Sequence, residues 1–154
     1  MKNVDFASLR DKMVTEQIVQ RGILDKNVIF ALKNIPRERF VPDSQKYFAY
    51  DDRPLSIGKG QTISQPYIVA LMTSILSIEK NNKVLEVGTG SGYQSAVLSY
   101  LGAELYTVER IPELAEEAAS RLSYLGFNVN IKMGDGTLGW QDYSPYDRII
   151  VTAA

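Results

Sequence analysis

The sequence contains neither cysteine nor histidine. Without cysteine there is no disulfide, no thiolate nucleophile and no cysteine zinc site, and without histidine there is no imidazole base, catalytic triad or histidine metal ligand. Carboxylate metal sites and glycosidase-type acid pairs need clustered acids, and the acidic residues are scattered apart from Asp51–Asp52 and a helical set at 113–117. We therefore predict no metal site.

An excess of one charge and long apolar runs are also missing. The chain has 17 basic and 18 acidic residues, a formal net charge of -1, and no basic run that predicts binding to nucleic acid or to an anionic membrane. Its apolar runs are far shorter than the roughly 20 residues that span a bilayer. The N-terminus lacks the basic and apolar segments of a secretory signal. We predict a cytoplasmic location.

The length of 154 residues, 45% of them hydrophobic, allows one ordinary core and a small appended subdomain. Residues 6–19 have helical apolar spacing, and Gly22 is placed to end that helix. Asp25 is a suitable N-cap for a second short helix, which must finish before Pro36. Residues 37–66 read as a long loop rich in turn formers, and loops of this length are usually functional or tie elements together.

The apolar period changes in the second half of the chain. Four short strands are predicted, at 84–87, 105–108, 129–132 and 148–152. Helical stretches at 94–101 and 112–125 separate the first three strands. Alternating strands and helices favour a parallel sheet with right-handed crossovers, so we predict an open nucleoside-binding α/β half at 79–154 after an N-terminal helical part at 1–78.

The first predicted strand runs into a glycine-rich turn, "KVLEVGTGSGYQ", with three glycines in five residues, Gly88, Gly90 and Gly92. These glycines let the backbone approach a ligand closely. A mononucleotide phosphate loop needs Lys-Ser or Lys-Thr after its last glycine, and Tyr93-Gln94 stand there instead. The dinucleotide fingerprint requires two residues between its second and third glycines, whereas this turn has only one.

The acidic residues near the turn indicate the charge of the ligand. Glu86, two residues before the first glycine, places negative charge near the expected mouth of the turn, which favours a cation over an anion. Ligands of such sheets bind beyond the carboxyl ends of the strands. We therefore predict a nucleoside ligand that carries positive charge.

Other predicted strand ends supply the groups that a nucleoside needs. Glu109 can accept hydrogen bonds from both ribose hydroxyls, and Asp135 can accept one from an adenine amino group while Gly136 allows close approach to the ring. Each has a plain alternative, because a strand-ending Glu is often a solvated charge and Asp-Gly is a common tight turn. Packing is the favoured role of three aromatic residues that precede the fourth strand: Trp140, Tyr143 and Tyr146.

The stretch "KGQTISQP" at 59–66 is a second unusual feature. Ser64 followed by Gln65-Pro66 is typical of a helix start, which predicts Ser64 as the N-cap with the proline in the first turn. The same helix start has free backbone N–H groups and partial positive charge, so it can also hold a carboxylate.

Five segments together resemble a known family: "DDRPLSIGKGQTISQPYIVALM", "VLEVGTGSGYQSAVL", "YTVER", "GDG" and "YDRIIVTAA". In this order they resemble bacterial protein-L-isoaspartate O-methyltransferases over essentially the whole chain. The glycine-rich turn alone marks only the broad class of S-adenosylmethionine-dependent methyltransferases, whereas "GQTISQP" is specific to this family. The resemblance implies a Rossmann-like parallel sheet of class I methyltransferases with an N-terminal helical subdomain.

The resemblance also implies roles for individual residues. The cofactor would be S-adenosyl-L-methionine, a nucleoside with a sulfonium, and the substrate the α-carboxylate of an isoaspartyl residue in a damaged protein or peptide. Ser64 would be the active-site residue at the junction of cofactor and substrate. The full predicted cofactor-binding set is Gln61, Thr62, Ile63, Ser64, Glu86, Gly88, Gly90, Ser91, Glu109, Arg110, Asp135 and Gly136.

The chain departs from the family at Ser56, where proline is common, and after the fourth strand, where family members continue through three more strands. On the family strand order 3-2-1-4-5-7-6 the fourth strand becomes an exposed edge, which favours self-association with another chain, or aggregation. A fragment, a short form completed by a partner, and an inactive remnant are all open. The main alternative function is a non-catalytic nucleoside-binding module. Methylation of RNA or a small molecule is disfavoured by "GQTISQP" and the balanced charge.

Overall fold

The structure is a computed structural model that describes residues 4–153; the outermost residues of the two predicted parts, 1–3 and 154, lie outside it. The helices are α1 (Phe6–Met13), α2 (Lys26–Asn34), α3 (Pro66–Leu76), α4 (Tyr93–Tyr100) and α5 (Pro112–Tyr124). The strands are β1 (Leu55–Gly58), β2 (Gln61–Ile63), β3 (Lys83–Val87), β4 (Glu104–Glu109), β5 (Asn130–Met133) and β6 (Arg148–Val151). In residues 4–153 no helix combines the length and apolar character needed to cross a bilayer.

The first two helices follow the sequence pattern closely. The helix predicted at 6–19 is present as α1, which continues into a wider π-helical turn at Val14–Val19. The Asp25 carboxylate accepts hydrogen bonds from the backbone N–H groups of Asn27 and Val28, which confirms it as the N-cap of α2. α2 ends at Asn34, ahead of Pro36, as the restriction on residues before proline requires.

The segment predicted as a loop at 37–66 has more regular structure than expected. It contains 3₁₀ turns at Arg37–Arg39 and Asp43–Phe48, followed by an antiparallel hairpin of β1 and β2. The loop interpretation is therefore wrong for much of this segment. Leu55 pairs with Ile63 across the hairpin, and both side chains are buried, so the hairpin packs onto the core by one face.

The main sheet is parallel and has the strand order β5-β4-β3-β6. In chain order of the four predicted strands this is 3-2-1-4, as the resemblance implies. The register places Leu85 of β3 between Tyr106 of β4 and Ile149 of β6. The predicted α/β fold is confirmed, and the carboxyl ends of all four strands meet at one edge of the sheet.

The two faces of the sheet are covered differently. On one face, Val84 packs with Leu98 of α4 in a buried cluster. On the other face, Tyr106 packs against the segment before β6, with ring centroids 5.6 Å from Trp140, 4.3 Å from Tyr143 and 5.9 Å from Tyr146. The predicted packing role of these three aromatic residues is confirmed.

Candidate functional site

A cleft of about 740 Å³ opens at the carboxyl ends of the sheet strands. The glycine-rich turn after β3, the end of β4, the turn after β5 and the residues after β6 all contribute to its wall, and the β2 hairpin strand reaches it from the N-terminal half. Ten of the twelve predicted cofactor-binding residues line it: Gln61, Thr62, Ser64, Gly88, Gly90, Ser91, Glu109, Arg110, Asp135 and Gly136. The topology therefore gathers residues that are up to 75 positions apart in the sequence, from 61 to 136.

Backbone geometry makes glycine necessary at Gly88. Its φ of +95° lies in the left-handed region, and a Cβ at this position would lie 2.7 Å from the Cβ of Ala153 and 3.0 Å from the Ala153 nitrogen. Any side chain would therefore displace the backbone after β6 as well as strain the turn. Gly88 and Ala153 both line the cleft, so the two loops form one continuous part of its wall.

Glu109 joins the end of β4 to the glycine-rich turn. Its Oε2 accepts a hydrogen bond from the Gly90 N–H at 2.8 Å, and its Oε1 accepts one from the Ile111 N–H at 2.9 Å. The side chain is 6% exposed and lines the cleft. The two backbone hydrogen bonds fix the direction of this carboxylate. Each of its oxygens has a second lone pair, so the carboxylate can still accept two hydrogen bonds from a vicinal diol.

Asp135 and Gly136 form the wall of the cleft after β5. Asp135 Oδ1 accepts from the Thr137 hydroxyl at 2.7 Å and the Thr137 N–H at 2.9 Å, and these hydrogen bonds, the hydroxyl first, lower the pKa of Asp135 below its usual value. A Cβ on Gly136 would lie 2.5 Å from Val87 Cγ1, so this turn sits directly on β3. The carboxylate is therefore ionised and available to accept a hydrogen bond.

Glu86 does not face the cleft, and the electrostatic interpretation based on it is wrong. Its side chain is fully buried below the turn, where Ser95 Oγ of α4 donates to Oε2 at 2.5 Å. Desolvation by burial raises the pKa of Glu86 to about 8, against the hydrogen bond from Ser95, so the group is protonated at neutral pH. The negative charge at the cleft comes from Glu109 and Asp135 instead.

Two predictions for the 61–66 stretch also need correction. Ile63 is 4% exposed and packs into the main core, so it does not line the cleft. Ser64 is not the N-cap of α3, because Pro66 occupies the first helical position and Gln65 therefore becomes the cap, without a side-chain capping bond. The Gln65 amide instead donates to Asp52 Oδ1 at 2.6 Å.

The residues missed by sequence reasoning are mostly apolar. Leu85 and Val87 of β3 line the cleft together with Ile149 and Val151 of β6 and Leu138. Ile149 and Val151 are 57% and 52% exposed. The alternation of side chains along predicted strands was the available signal, because residues at every second position face the same side of the sheet.

Comparisons with known proteins agree with this architecture. Residues 8–154 match the family model described as protein-L-isoaspartate(D-aspartate) O-methyltransferase. A protein-L-isoaspartate O-methyltransferase of Picosynechococcus sp. is 54% identical over 148 residues, which are 96% of this chain and 67% of that protein. The corresponding Dictyoglomus thermophilum protein is 56% identical over 97% of this chain and 68% of its own length.

Solved structures give the same picture. A protein-L-isoaspartate O-methyltransferase superposes with a TM-score of 0.84 and 34% identity, over 93% of this chain and 47% of that chain. A candidate enzyme of the same kind from Plasmodium falciparum, solved with S-adenosyl-L-homocysteine, shares the fold with a TM-score of 0.78 and 20% identity, over 98% of this chain and 74% of that chain. This chain thus spans about two thirds of the two curated relatives. It belongs to the protein-L-isoaspartate(D-aspartate) O-methyltransferase family.

Proposed function

We propose that the chain binds S-adenosyl-L-methionine in the cleft and directs methyl transfer to the α-carboxylate of isoaspartyl residues in damaged proteins and peptides. The observation that carries this proposal is the meeting of two segments at one cleft. The glycine-rich turn at Gly88 is typical of nucleoside-binding α/β sheets in general. The Gln61–Ser64 segment lies within "GQTISQP", the stretch whose resemblance is specific to this family. Both contribute to the same cavity wall.

The residues of the cleft fit this cofactor. Glu109 offers a fixed carboxylate for the ribose diol, with Arg110 beside it, and Asp135 with Gly136 would hold the adenine. The backbone at Gly88, Gly90 and Ser91 would contact the methionine portion, since the close packing of Gly88 on Ala153 leaves no room for a side chain there. Two acidic groups at the cleft also suit a ligand with positive charge.

The cofactor, when bound, supplies a methyl group made electrophilic by its sulfonium sulfur. An α-carboxyl group has an unperturbed pKa near about 3.5 and is ionised at neutral pH, so the acceptor needs no general base from the protein. The residues of this chain would therefore act by orientation and by exclusion of water. Ser64, which lines the cleft at the end of the Gln61–Ser64 segment, would contact the acceptor.

Two measurements on the same preparation test the proposal. Calorimetric titration with S-adenosyl-L-homocysteine should give saturable binding, and transfer of labelled methyl from S-adenosyl-L-methionine should occur to an isoaspartyl peptide but not to the same peptide with ordinary aspartate. Binding without transfer would favour the non-catalytic nucleoside-binding module. Absence of binding would contradict both functions.

Two finer statements belong to the same proposal. We propose that the chain acts in the cytoplasm, on isoaspartyl proteins present there. Self-association through β6, which lies at one edge of the sheet, stays a prediction. Sedimentation velocity over a range of protein concentrations would test it, because a monomer gives the same sedimentation coefficient throughout.

A further inference from the structure

Arg37 is a buried cation without an acidic partner. It lies in the 3₁₀ turn Arg37–Arg39 and is 0% exposed. Its Nε donates to the carbonyl of Ala49 at 2.7 Å, and its Nη2 donates to the carbonyl of Ser64 at 2.7 Å. Among residues 4–153 no carboxylate forms an ion pair with it, and its Nη1 is buried without a hydrogen-bond partner.

Glu38, the acidic residue next to Arg37 in the chain, pairs with other residues. Glu38 accepts a hydrogen bond from the Tyr50 hydroxyl and lies 3.7 Å from the Arg10 guanidinium. Burial of Arg37 without a counter-charge is costly, and its hydrogen bonds to the carbonyls of Ala49 and Ser64 offset part of that cost. The two hydrogen bonds to backbone carbonyls give Arg37 a specific geometric role, because they join segments that lie 12 and 27 positions away in the sequence.

Arg37 contacts the end of the Gln61–Ser64 segment and the residue that follows the glycine-rich turn. The Ser64 carbonyl belongs to the end of the Gln61–Ser64 segment. On the other side, the guanidinium carbon lies 4.9 Å from the ring centre of Tyr93, the residue that follows the glycine-rich turn and begins α4. Phe40 packs edge-on against the same ring, with centroids 5.4 Å apart, so Tyr93 is held in place.

We propose that Arg37 is a positioning residue that fixes the Gln61–Ser64 segment at a set distance from the glycine-rich turn. It does not line the cleft, so it acts through the Ser64 backbone and through Tyr93. A guanidinium suits this role because it is planar and donates in several fixed directions, whereas a lysine ammonium is a single flexible donor group. The effect on turnover rests on the proposed methyl transfer, but the effect on the segment does not.

Hydrogen exchange followed by mass spectrometry tests the positioning role without any need for turnover. In Arg37→Met, the backbone amides of residues 61–65 should exchange about tenfold faster or more, because a charge-assisted hydrogen bond to the segment is lost. In Arg37→Lys, the increase should be smaller, since the ammonium can still donate to one of the two carbonyls. Arg39→Met is the matched control, because Arg39 belongs to the same turn and is exposed.

The affinity for S-adenosyl-L-homocysteine and the steady-state constants complete the test. We expect Arg37→Met to weaken binding and to raise the KM for an isoaspartyl peptide together with a lower kcat, with partial recovery in Arg37→Lys. If the amides of residues 61–65 exchange faster only to the same extent as those of the rest of the chain, the proposal is overturned. Equal effects in Arg39→Met would overturn it too. If Arg37→Met does not fold, the same criteria apply to Arg37→Lys.

Discussion

The carboxylate of Glu109 accepts the Gly90 N–H at 2.8 Å, so the end of β4 fixes the glycine-rich turn that follows β3. The second oxygen of the same carboxylate accepts the Ile111 N–H at 2.9 Å. One side chain thus holds two backbone segments of the cleft before any ligand arrives. A ligand that binds here meets a carboxylate whose direction is already set, which reduces the entropic cost of binding.

Glu109→Gln should weaken S-adenosyl-L-homocysteine binding by about 10- to 100-fold, because the amide NH₂ would face one of the two backbone N–H groups and leave it unpaired. Isothermal titration calorimetry measures the change. Glu113→Gln is the control, since the Glu113 pair with Lys59 is exposed and such pairs contribute little. If Glu109→Gln binds S-adenosyl-L-homocysteine with wild-type affinity, Glu109 does not contribute to ligand binding.

Gly88→Ala should lower the free energy of unfolding by about 1–3 kcal/mol more than Gly22→Ala does. Both glycines have a φ above +90°, so both variants incur the same backbone strain. A Cβ at Gly22 meets no atom within 4 Å, whereas one at Gly88 meets Ala153 at 2.7 Å. Urea unfolding of the two variants separates the steric contribution, and equal losses would contradict the close contact.

Glu86→Gln should change the pH dependence of stability. Because the pKa of Glu86 is about 8 in the folded chain and near 4.5 when unfolded, the folded state retains a proton that the unfolded state loses. The free energy of unfolding should therefore fall as the pH rises from about 4.5 to about 8, at up to about 1.4 kcal/mol per pH unit. Below about pH 4.5 Glu86 is protonated in both states, so it no longer makes the free energy of unfolding depend on pH.

The variant should lack this component, because glutamine is neutral throughout and can still accept a hydrogen bond from Ser95. We expect Glu86→Gln to gain stability relative to the parent chain as the pH rises from 5 to 8, in urea unfolding at each pH. Parallel curves for the two proteins would show that Glu86 ionises normally in the folded state.

Ser64→Ala should reduce methyl transfer to an isoaspartyl peptide by about tenfold or more, which corresponds to the loss of one hydrogen bond in the transition state. The affinity for S-adenosyl-L-homocysteine should change little, because the main chain of Ser64 stays fixed by Arg37. Ser56→Ala, on the exposed face of β1, is the control. Equal loss of binding and transfer in Ser64→Ala would contradict an active-site role.

The elements of the sheet could be predicted from sequence because their signals are local. The strand segments alternate with amphipathic helices, and each predicted strand begins and ends within two residues of the observed bounds. The start of α2 was equally local, because Asp25 caps it. The hairpin of β1 and β2 was missed because its strands have four and three residues, too few to show a clear period against the turn formers around them.

The errors at the site have a different origin. Glu86 follows Val84 by two positions, and side chains at this spacing share a face of the strand, so Glu86 is directed at α4 rather than at the cleft. Its placement thus depends on which face the helices cover, which is a tertiary property. Arg37 and Ser64 are 27 positions apart in the sequence, and no sequence motif predicts their contact. Only the folded chain shows it.

The buried carboxyl of Glu86 also alters the charge that the folded chain presents to solvent. The formal net charge of -1 counts every glutamate as ionised. With Glu86 protonated, the native chain carries one negative charge fewer near pH 7 than this formal count. Unfolding near neutral pH releases about one proton to the solvent, so its calorimetric heat should vary with the ionisation enthalpy of the buffer.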